Sequence, residues 1–370
     1  MVPPPFPLFA YLTITVLVHI LQFLQLVFDD IISPPPFPTF ICNPLVMITS
    51  LFNILELLED PLIARLFPGL IFSKNNGRDV WTLLEADPPS FWYITGETPQ
   101  SLDTLVQLIA EDVQQPRLLP RPPTTNRKRQ CLLDTRNRVL LVVLWLRSYP
   151  NYAFLALLFE LSKSTVAEEI YHIVPIIFVR CRRYIRWHSL VKWSTFLGDW
   201  PTFANAVGCI DATIHRVRRP TGQLQAEFYR GDKKCHFMST QLVVDTDGLI
   251  VMLVSGYPGH LNDARSYHLL PRIGFNGPRQ LPRAARLLAN GGYAARVPLV
   301  TPRRLARRRR IRQANRELRR LRVRIEHSIG ALKIYKSISS VFRQKRAFLP
   351  IVVATCGFLT NRRRRLIQSL

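Results

Sequence analysis

The hydrophobic period of this chain changes at Trp200-Pro201, and that change limits what the chain can fold into. Before it, apolar residues recur at helical spacing: Val139 to Trp145 is apolar throughout and ends at Tyr149-Pro150-Asn151, where proline breaks the hydrogen-bond ladder. Tyr152 to Phe159 resumes the pattern, Glu160-Leu161-Ser162 makes a short turn, and Lys163 to Ile173 carries Val166, Ile170 and Ile173 on one face. Ser162 or Ser164 can cap that second helix, and Thr165 with Glu168 offers an alternative capping box. After Pro201 the apolar runs are short. Ala206 to Ile210 leads into Asp211, and Phe237 to Val244 and Leu249 to Val254 flank the turn Asp245-Thr246-Asp247-Gly248, giving three antiparallel strands in order. Asn262 or Asp263 caps a helix through Leu270, and Arg286 to Ala289 forms a fourth strand ending at Asn290. A long helix follows with Leu318, Leu321, Ile325, Ile329 and Leu332 as its apolar stripe.

The remainder divides by composition. Residues 1–50 form an apolar and proline-rich leader in which 7–28 approaches the span of a bilayer, although His19, Gln22 and Gln25 interrupt it and no basic residue precedes it. A membrane helix, a buried helix and an anchor with acidic flanks stay open there. Residues 51–114 read as an N-terminal helical region with a helix starting near Thr98 or Ser101, and 115–130 as a basic linker rich in Pro, Arg and Thr. Residues 131–200 are a helical block, helix-turn-helix-like in its tight middle turn. Such a pair docks DNA when its second helix enters the major groove, and it packs as a plain core when it does not. Ser162, Lys163, Ser164 and Thr165 stand where a docking helix begins, while Glu168 and Glu169, expected to be exposed, match phosphate poorly.

Charge narrows the partners. The chain carries 50 Lys and Arg against 25 Asp and Glu, a formal net charge of +25, and this points to a polyanion, with double-stranded DNA first and an anionic membrane surface second. The excess is uneven. No Lys or Arg precedes Arg65, whereas the segment 303–324 has twelve arginines and one acid, Glu317. Arg303, Arg304, Arg307, Arg308, Arg309, Arg310, Arg312, Arg316, Arg319 and Arg320 are the candidate DNA-binding residues, and Arg362 to Arg365 read as a phosphate patch or a nuclear-import signal. Hydrophobic residues at 48% exclude a mainly disordered chain, and six dispersed cysteines without a CxxC pair exclude zinc-finger spacing and fit reduced thiols of nucleus or cytoplasm.

Phosphodiester cleavage uses carboxylates that hold two divalent ions about 3.5 to 4 Å apart. Asp211, at the expected end of a central strand, and Glu326, beside the apolar stripe of the long helix, are residues that can converge on such a site. Each also has an ordinary structural reading, as a turn cap and as the partner of an arginine.

Five segments in order add a resemblance: Gly208 to Thr213, Tyr229 to His236, Ser255 to Arg265, Gly292-Tyr293 and Arg324 to Lys333. Over roughly residues 205–360 the chain resembles the PIF/Harbinger-type DDE transposases and their domesticated nuclease relatives, and the block 133–175 resembles the helix-turn-helix that precedes their catalytic domain. The resemblance implies an α/β fold, an RNase H-like mixed sheet with flanking helices, behind a helical helix-turn-helix-like region. It implies catalytic and metal-ligand roles for Asp211, Asp263 and Glu326, and a divalent cation, Mg or Mn, as cofactor. The family motif has aspartate where this chain has Asn290, with thirty-five residues between it and Glu326. An amide brings no negative charge to a hard cation, which makes Asn290 a degenerate acid position and impaired cleavage the expectation, with Asp232 as a candidate substitute. The family further implies nuclear location, a separate Myb-like accessory protein and a homo-oligomer. A noncatalytic domesticated DNA-binding or protein-interaction module is the alternative reading.

Overall fold

The computed structural model describes residues 77–115, 132–221, 225–303 and 308–368. The leader 1–50, its apolar stretch 7–28 and nearly all of the expected linker therefore lie outside the described residues, and among the described ones no helix is long and apolar enough to cross a membrane.

The N-terminal helices are α1 (Val80–Glu85), α2 (Pro88–Thr95) and α3 (Pro99–Gln114). Thr98 caps α3 by accepting from the Ser101 amide, with Pro99 pre-set at the first turn. The helical block continues as α4 (Thr135–Ser148), α5 (Tyr152–Leu158) and α6 (Lys163–Cys181). Asp134, Asn151 and Ser162 cap them, each accepting from a backbone amide three residues on. α6 runs beyond the expected Ile173, through Pro175, because Val174, Ile177 and Cys181 continue its buried stripe. Glu169 is not on the solvent face: it is buried against Arg138 at 3.0 Å, and Arg138 also donates to the Val113 carbonyl at 2.7 Å, so α3, α4 and α6 share one internal charge pair.

After the short α7 (Leu190–Thr195) comes a mixed sheet of β1 (Ala206–Arg216), β2 (Tyr229–Arg230), β3 (Cys235–Asp245), β4 (Ile250–Pro258), β5 (Arg286–Leu288) and β6 (Leu299–Val300), with α8 (Gln225–Phe228) leading into β2. The main order is β4-β3-β1-β5-β6, with β2 paired to the start of β3. β1, β3 and β4 pair antiparallel, whereas β5 and β6 run parallel to β1. The turn between β3 and β4 forms because the Asp245 carboxylate accepts from the Asp247 and Leu249 amides while Gly248 takes φ +81°. α9 (Asp263–His268) follows β4, and α10 (Arg309–Lys333), α11 (Lys336–Ser339) and α12 (Leu349–Gln368) complete the chain.

Period two along the strands sends side chains to two cores. Val207, Ile210, Val243, Val251 and Leu287 pack toward Trp193 and Phe196, while Cys209, Leu242, Val244 and Leu288 pack under Leu318 and Ile325 of α10. A third and larger core joins the helical block to α11 and α12. α12 packs on both α6 and β4. Arg362 and Arg364 of the C-terminal arginine run are built into this junction, while Arg365 is exposed. Arg362 is buried against Glu97 at 3.1 Å and also donates to Ser101 and Thr104, and Arg364 donates to the Gly248 carbonyl and to Ser328. The Glu97 and Arg362 side chains are 2% and 4% exposed, so removal of one strands the other in the core. Arg362→Met is expected to lower unfolding stability by about 3–5 kcal/mol, read from guanidinium denaturation; a loss below about 1 kcal/mol would mean that the pair is solvated in solution.

Candidate functional site

β1 is longer than its apolar run suggests. Asp211 lies in its middle, because Thr213 and His215 extend the inward-facing series that begins at Cys209. That series faces α10. Cys209 pairs with Leu288 across the parallel β1-β5 ladder, so Asp211 and Asn290, each two residues further along, reach the same face side by side. The Asn290 Nδ2 donates to Asp211 Oδ1 at 2.9 Å.

The third residue arrives from α9. Asn262 caps that helix by accepting from the Arg265 amide, which leaves Asp263 free to point at the strands. Asn290 Nδ2 reaches Asp263 Oδ2 at 3.4 Å. Gly292 closes the corner: a Cβ there would lie 2.9 Å from Asn290 Oδ1 and 3.0 Å from Asp263 Oδ2, so any larger residue would have to push these two side chains aside. Beneath them Tyr293 donates to buried Gln241 Oε1 at 2.6 Å, and Gln241 Nε2 faces the Asp263 carbonyl at 3.4 Å.

α10 supplies the fourth group. Arg322 lies on the buried stripe with Leu318, Ile325, Ser328 and Leu332, and its Nη2 meets Asp211 Oδ2 at 2.5 Å. One turn on, Glu326 Oε1 stands 4.0 Å from Arg322 Nη1 with 58% of its side chain exposed. Asp211 and Glu326 thus approach the same guanidinium from opposite sides. Burial pushes the Asp211 carboxyl above the ordinary carboxylate range; Arg322 and the Ala212 amide oppose that shift, and the neighbouring Asp263 charge adds to it.

Of the residues expected from the sequence, Asp211, Asp263 and Asn290 meet around one amide, while Glu326 is linked to them only through Arg322; sequence reasoning misses Arg322 and Gln241. Asp232 is elsewhere. It pairs with Arg230 on the exposed β2-β3 turn and offers no replacement carboxylate in the pocket. Ser162, Lys163, Ser164 and Thr165 form the first turn of α6, where the Ser162 hydroxyl bonds to the Thr165 amide. Arg303, Arg308, Arg309, Arg310, Arg312, Arg316, Arg319 and Arg320 are exposed, mostly on the first turns of α10, which start earlier than its apolar stripe; Arg304 and Arg307 lie outside the described residues.

The pocket as built does not suit a divalent ion. Among the described residues no group of three or more His, Cys, Asp or Glu side chains is arranged to hold a metal. The Asn290 amide has a fixed sense, because the Gly292 N–H donates to its Oδ1 at 2.6 Å and two carboxylates face its other end. N–H donors therefore occupy the positions from which a cation would meet Asp211 and Asp263.

Residues 210–361 match the family described as DDE superfamily endonuclease, and residues 130–183 match the one described as helix-turn-helix of DDE superfamily endonuclease. A relative is the probable transposase for insertion sequence element IS702 of Microchaete diplosiphon, 25% identical over 263 residues that cover 69% of this chain and 87% of that protein. No solved structure matches the chain. The matches support a DDE-superfamily endonuclease region behind its helix-turn-helix domain, a superfamily that generally uses divalent metals.

Asn290→Asp is expected to set a third carboxylate against Asp211 and Asp263, to lower the melting temperature without metal, and to gain a Mn²⁺-dependent rise that the parent lacks. Thermal unfolding with Mn²⁺ and with chelator checks this, and equal responses of the two proteins would show that residue 290 does not control cation entry. A second expectation concerns Lys333 at the far end of α10, whose Nζ donates to the Ile214 carbonyl. Burial lowers its pKa to about 8. The unfolded chain then binds more protons at this site than the folded one above that pH, so the Lys333 contribution to stability should rise by roughly 1–2 kcal/mol from pH 8 to 9.5, against an opposing fall from the buried Cys181, Cys209 and Cys356 thiols, which ionise first in the unfolded state. Lys333→Met should flatten that rise in guanidinium unfolding curves.

Proposed function

We propose that this protein is a transposase-derived DNA-binding protein of RNase H-like fold and PIF/Harbinger type, with divalent-metal-dependent endonuclease ancestry and weak or lost cleavage. Asp211, Asp263 and Glu326 are read as the ancestral catalytic and Mg- or Mn-binding positions, and Asn290 as the lost acid. The observation that carries the reading is the Asn290 Nδ2 contact with both Asp211 and Asp263, since an N–H donor faces these acids at the position where the family motif has aspartate. The residues present do not fit a pair of divalent ions.

DNA binding itself needs no metal. The exposed arginines from Arg303 to Arg320 and the start of α6 at Ser162 to Thr165 supply phosphate contacts and a docking helix end. A nuclear protein acting on duplex DNA, assisted by a Myb-like partner and assembling as a homo-oligomer, is the setting that this type implies. The purely noncatalytic reading, a domesticated binding module, is favoured by Arg322, whose guanidinium already occupies the space between Asp211 and Glu326.

Nicking of supercoiled DNA in Mg²⁺ and in Mn²⁺ tests the reading. The parent chain should leave the plasmid closed or cut it only slowly, and Asn290→Asp should cut faster; rapid metal-dependent cutting by the parent would refute impairment. Duplex binding should weaken steeply with added salt, and failure to bind duplex at low salt would refute the DNA-binding assignment.

A further inference from the structure

Val217 continues β1 past Arg216 and forms a parallel bridge with Phe342, while the Phe342 amide donates to the Arg216 carbonyl at 2.8 Å. The segment after β1 and the segment between α11 and α12 therefore run side by side. Between them lies an open groove of about 380 Å³ whose lining includes Arg218, Arg219, Lys345 and Arg346 and no acidic residue. Arg218, Arg219 and Lys345 are exposed.

Several buried and surface arginines are compensated by acids, and among the described residues these cations are not. Arg138, Arg180, Arg230, Arg322 and Arg362 each meet a carboxylate, whereas among the described residues none of the four groove cations pairs with an acid. Two are held in place by neutral groups: Arg219 Nε donates to Gln225 Oε1 at 2.9 Å, and the Arg346 guanidinium lies 4.7 Å from the Phe228 ring centroid. Such contacts order a cation and leave its charge available.

The groove is also rigidly joined to the helical block. Arg343 donates to the Tyr149 and Pro150 carbonyls and lies 4.1 Å over the Tyr149 ring, and Phe342 stacks on the other side of the contact with its ring 6° from parallel to Tyr149. Tyr171, on α6, meets Phe348 at 4.6 Å and donates to Gln344 at 3.4 Å. One wall of the groove is thus fixed to the helix that begins at Ser162 to Thr165. Along β1, Asp211 is five residues from Arg216, a separation of roughly 17 Å at about 3.3 Å per residue, so the groove is apart from the acid pocket.

We infer that this groove is a phosphodiester-binding site that grips one backbone strand of the duplex docked by α6, apart from the arginines of α10. The inference rests on the DNA-binding reading above. Its volume suits a single sugar-phosphate stretch, being at the lower end of ordinary ligand pockets, and unpaired Arg and Lys at its rim match that ligand in charge and donor chemistry.

The test compares the full-length chain with Arg218→Gln/Lys345→Gln, with the charge-matched Lys192→Gln/Arg272→Gln, and with the charge-preserving Arg218→Lys/Lys345→Arg, on two unrelated duplexes by fluorescence anisotropy over a salt series. The groove variant should bind several-fold more weakly on both duplexes, and its log K against log salt slope should be shallower by about 2. The charge-preserving variant should stay within about twofold of the parent, and the charge-matched variant should lose less than the groove variant. All variants should keep the parent melting curve, because the altered side chains are exposed. Equal losses in the groove and charge-matched variants would reduce the effect to net charge and overturn the site, as would a groove variant identical to the parent. A parent chain that binds no duplex at low salt would overturn this site and the proposed function together, whereas binding that ignores the groove overturns the site alone.

Discussion

A carboxylate on the covered face of a sheet must be neutralised, and Asp211 sets that demand for this molecule. It lies under α10, where an uncompensated charge costs several kcal/mol. Arg322 meets the demand from the helix, Asn290 from the parallel strand, and the Ala212 amide from Asp211's own strand. Because Arg322 is on the same stripe as Leu318, Ile325 and Leu332, the ion pair and the apolar contacts require the same rotation of α10. A divalent ion entering here would have to displace that guanidinium and turn the Asn290 amide, and the turn would also break the Gly292 hydrogen bond to Oδ1. The pocket is therefore closed electrostatically as it stands.

The distribution of charge over the rest of the chain follows from the same rule. Arginines drawn into the core take carboxylate or carbonyl partners, as Arg138 does with Glu169 and Arg362 with Glu97. These pairs tie the N-terminal helices to α6 and α12 and remove charges from the surface. Exposed cations line the first turns of α10 and the rim formed by Arg218, Arg219 and Lys345, and others, among them Arg182, Arg183, Lys233, Lys234 and Arg272, lie elsewhere on the surface. The large formal positive charge is thus partly internal.

Much of this was legible in the residues because the signals are local. Alternation marks the strands, Ser162 and Asn262 have the spacing of caps, and Asp245 to Gly248 has the chemistry of a tight turn. Asn290 is visible as an amide at an expected acid position. Arg322 is harder to see within an arginine-rich segment, yet its place was encoded: it falls four residues after Leu318 and three before Ile325, on the buried stripe. The fates of Glu169, Arg362 and Arg364 were not encoded locally. Their partners lie 31, 265 and 116 positions away, so only the packed structure reveals that these charges are internal. The length of β1 was misread for a related reason: Asp211 interrupts an apolar run that the strand itself passes through, and Thr213 and His215 are buried by α10 and α11, elements more than a hundred residues later.

The presence of Asp211, Asp263 and Glu326 is therefore weak evidence for cutting. Asp211 has work to do without a metal, as the partner of Arg322 and of the Asn290 amide; replacing it would leave a guanidinium buried with its Nε already unpaired. Asp263 begins α9 and faces the same amide, and Glu326 approaches Arg322 from the solvent side. Once Asn290 and Arg322 supply the compensation that an ion would otherwise provide, the three acids are held by folding energetics alone. On the proposed reading, phosphate recognition by the outer face of α10 and by the groove beyond β1 asks nothing of the acid cluster, so it does not depend on whether that cluster can hydrolyse anything.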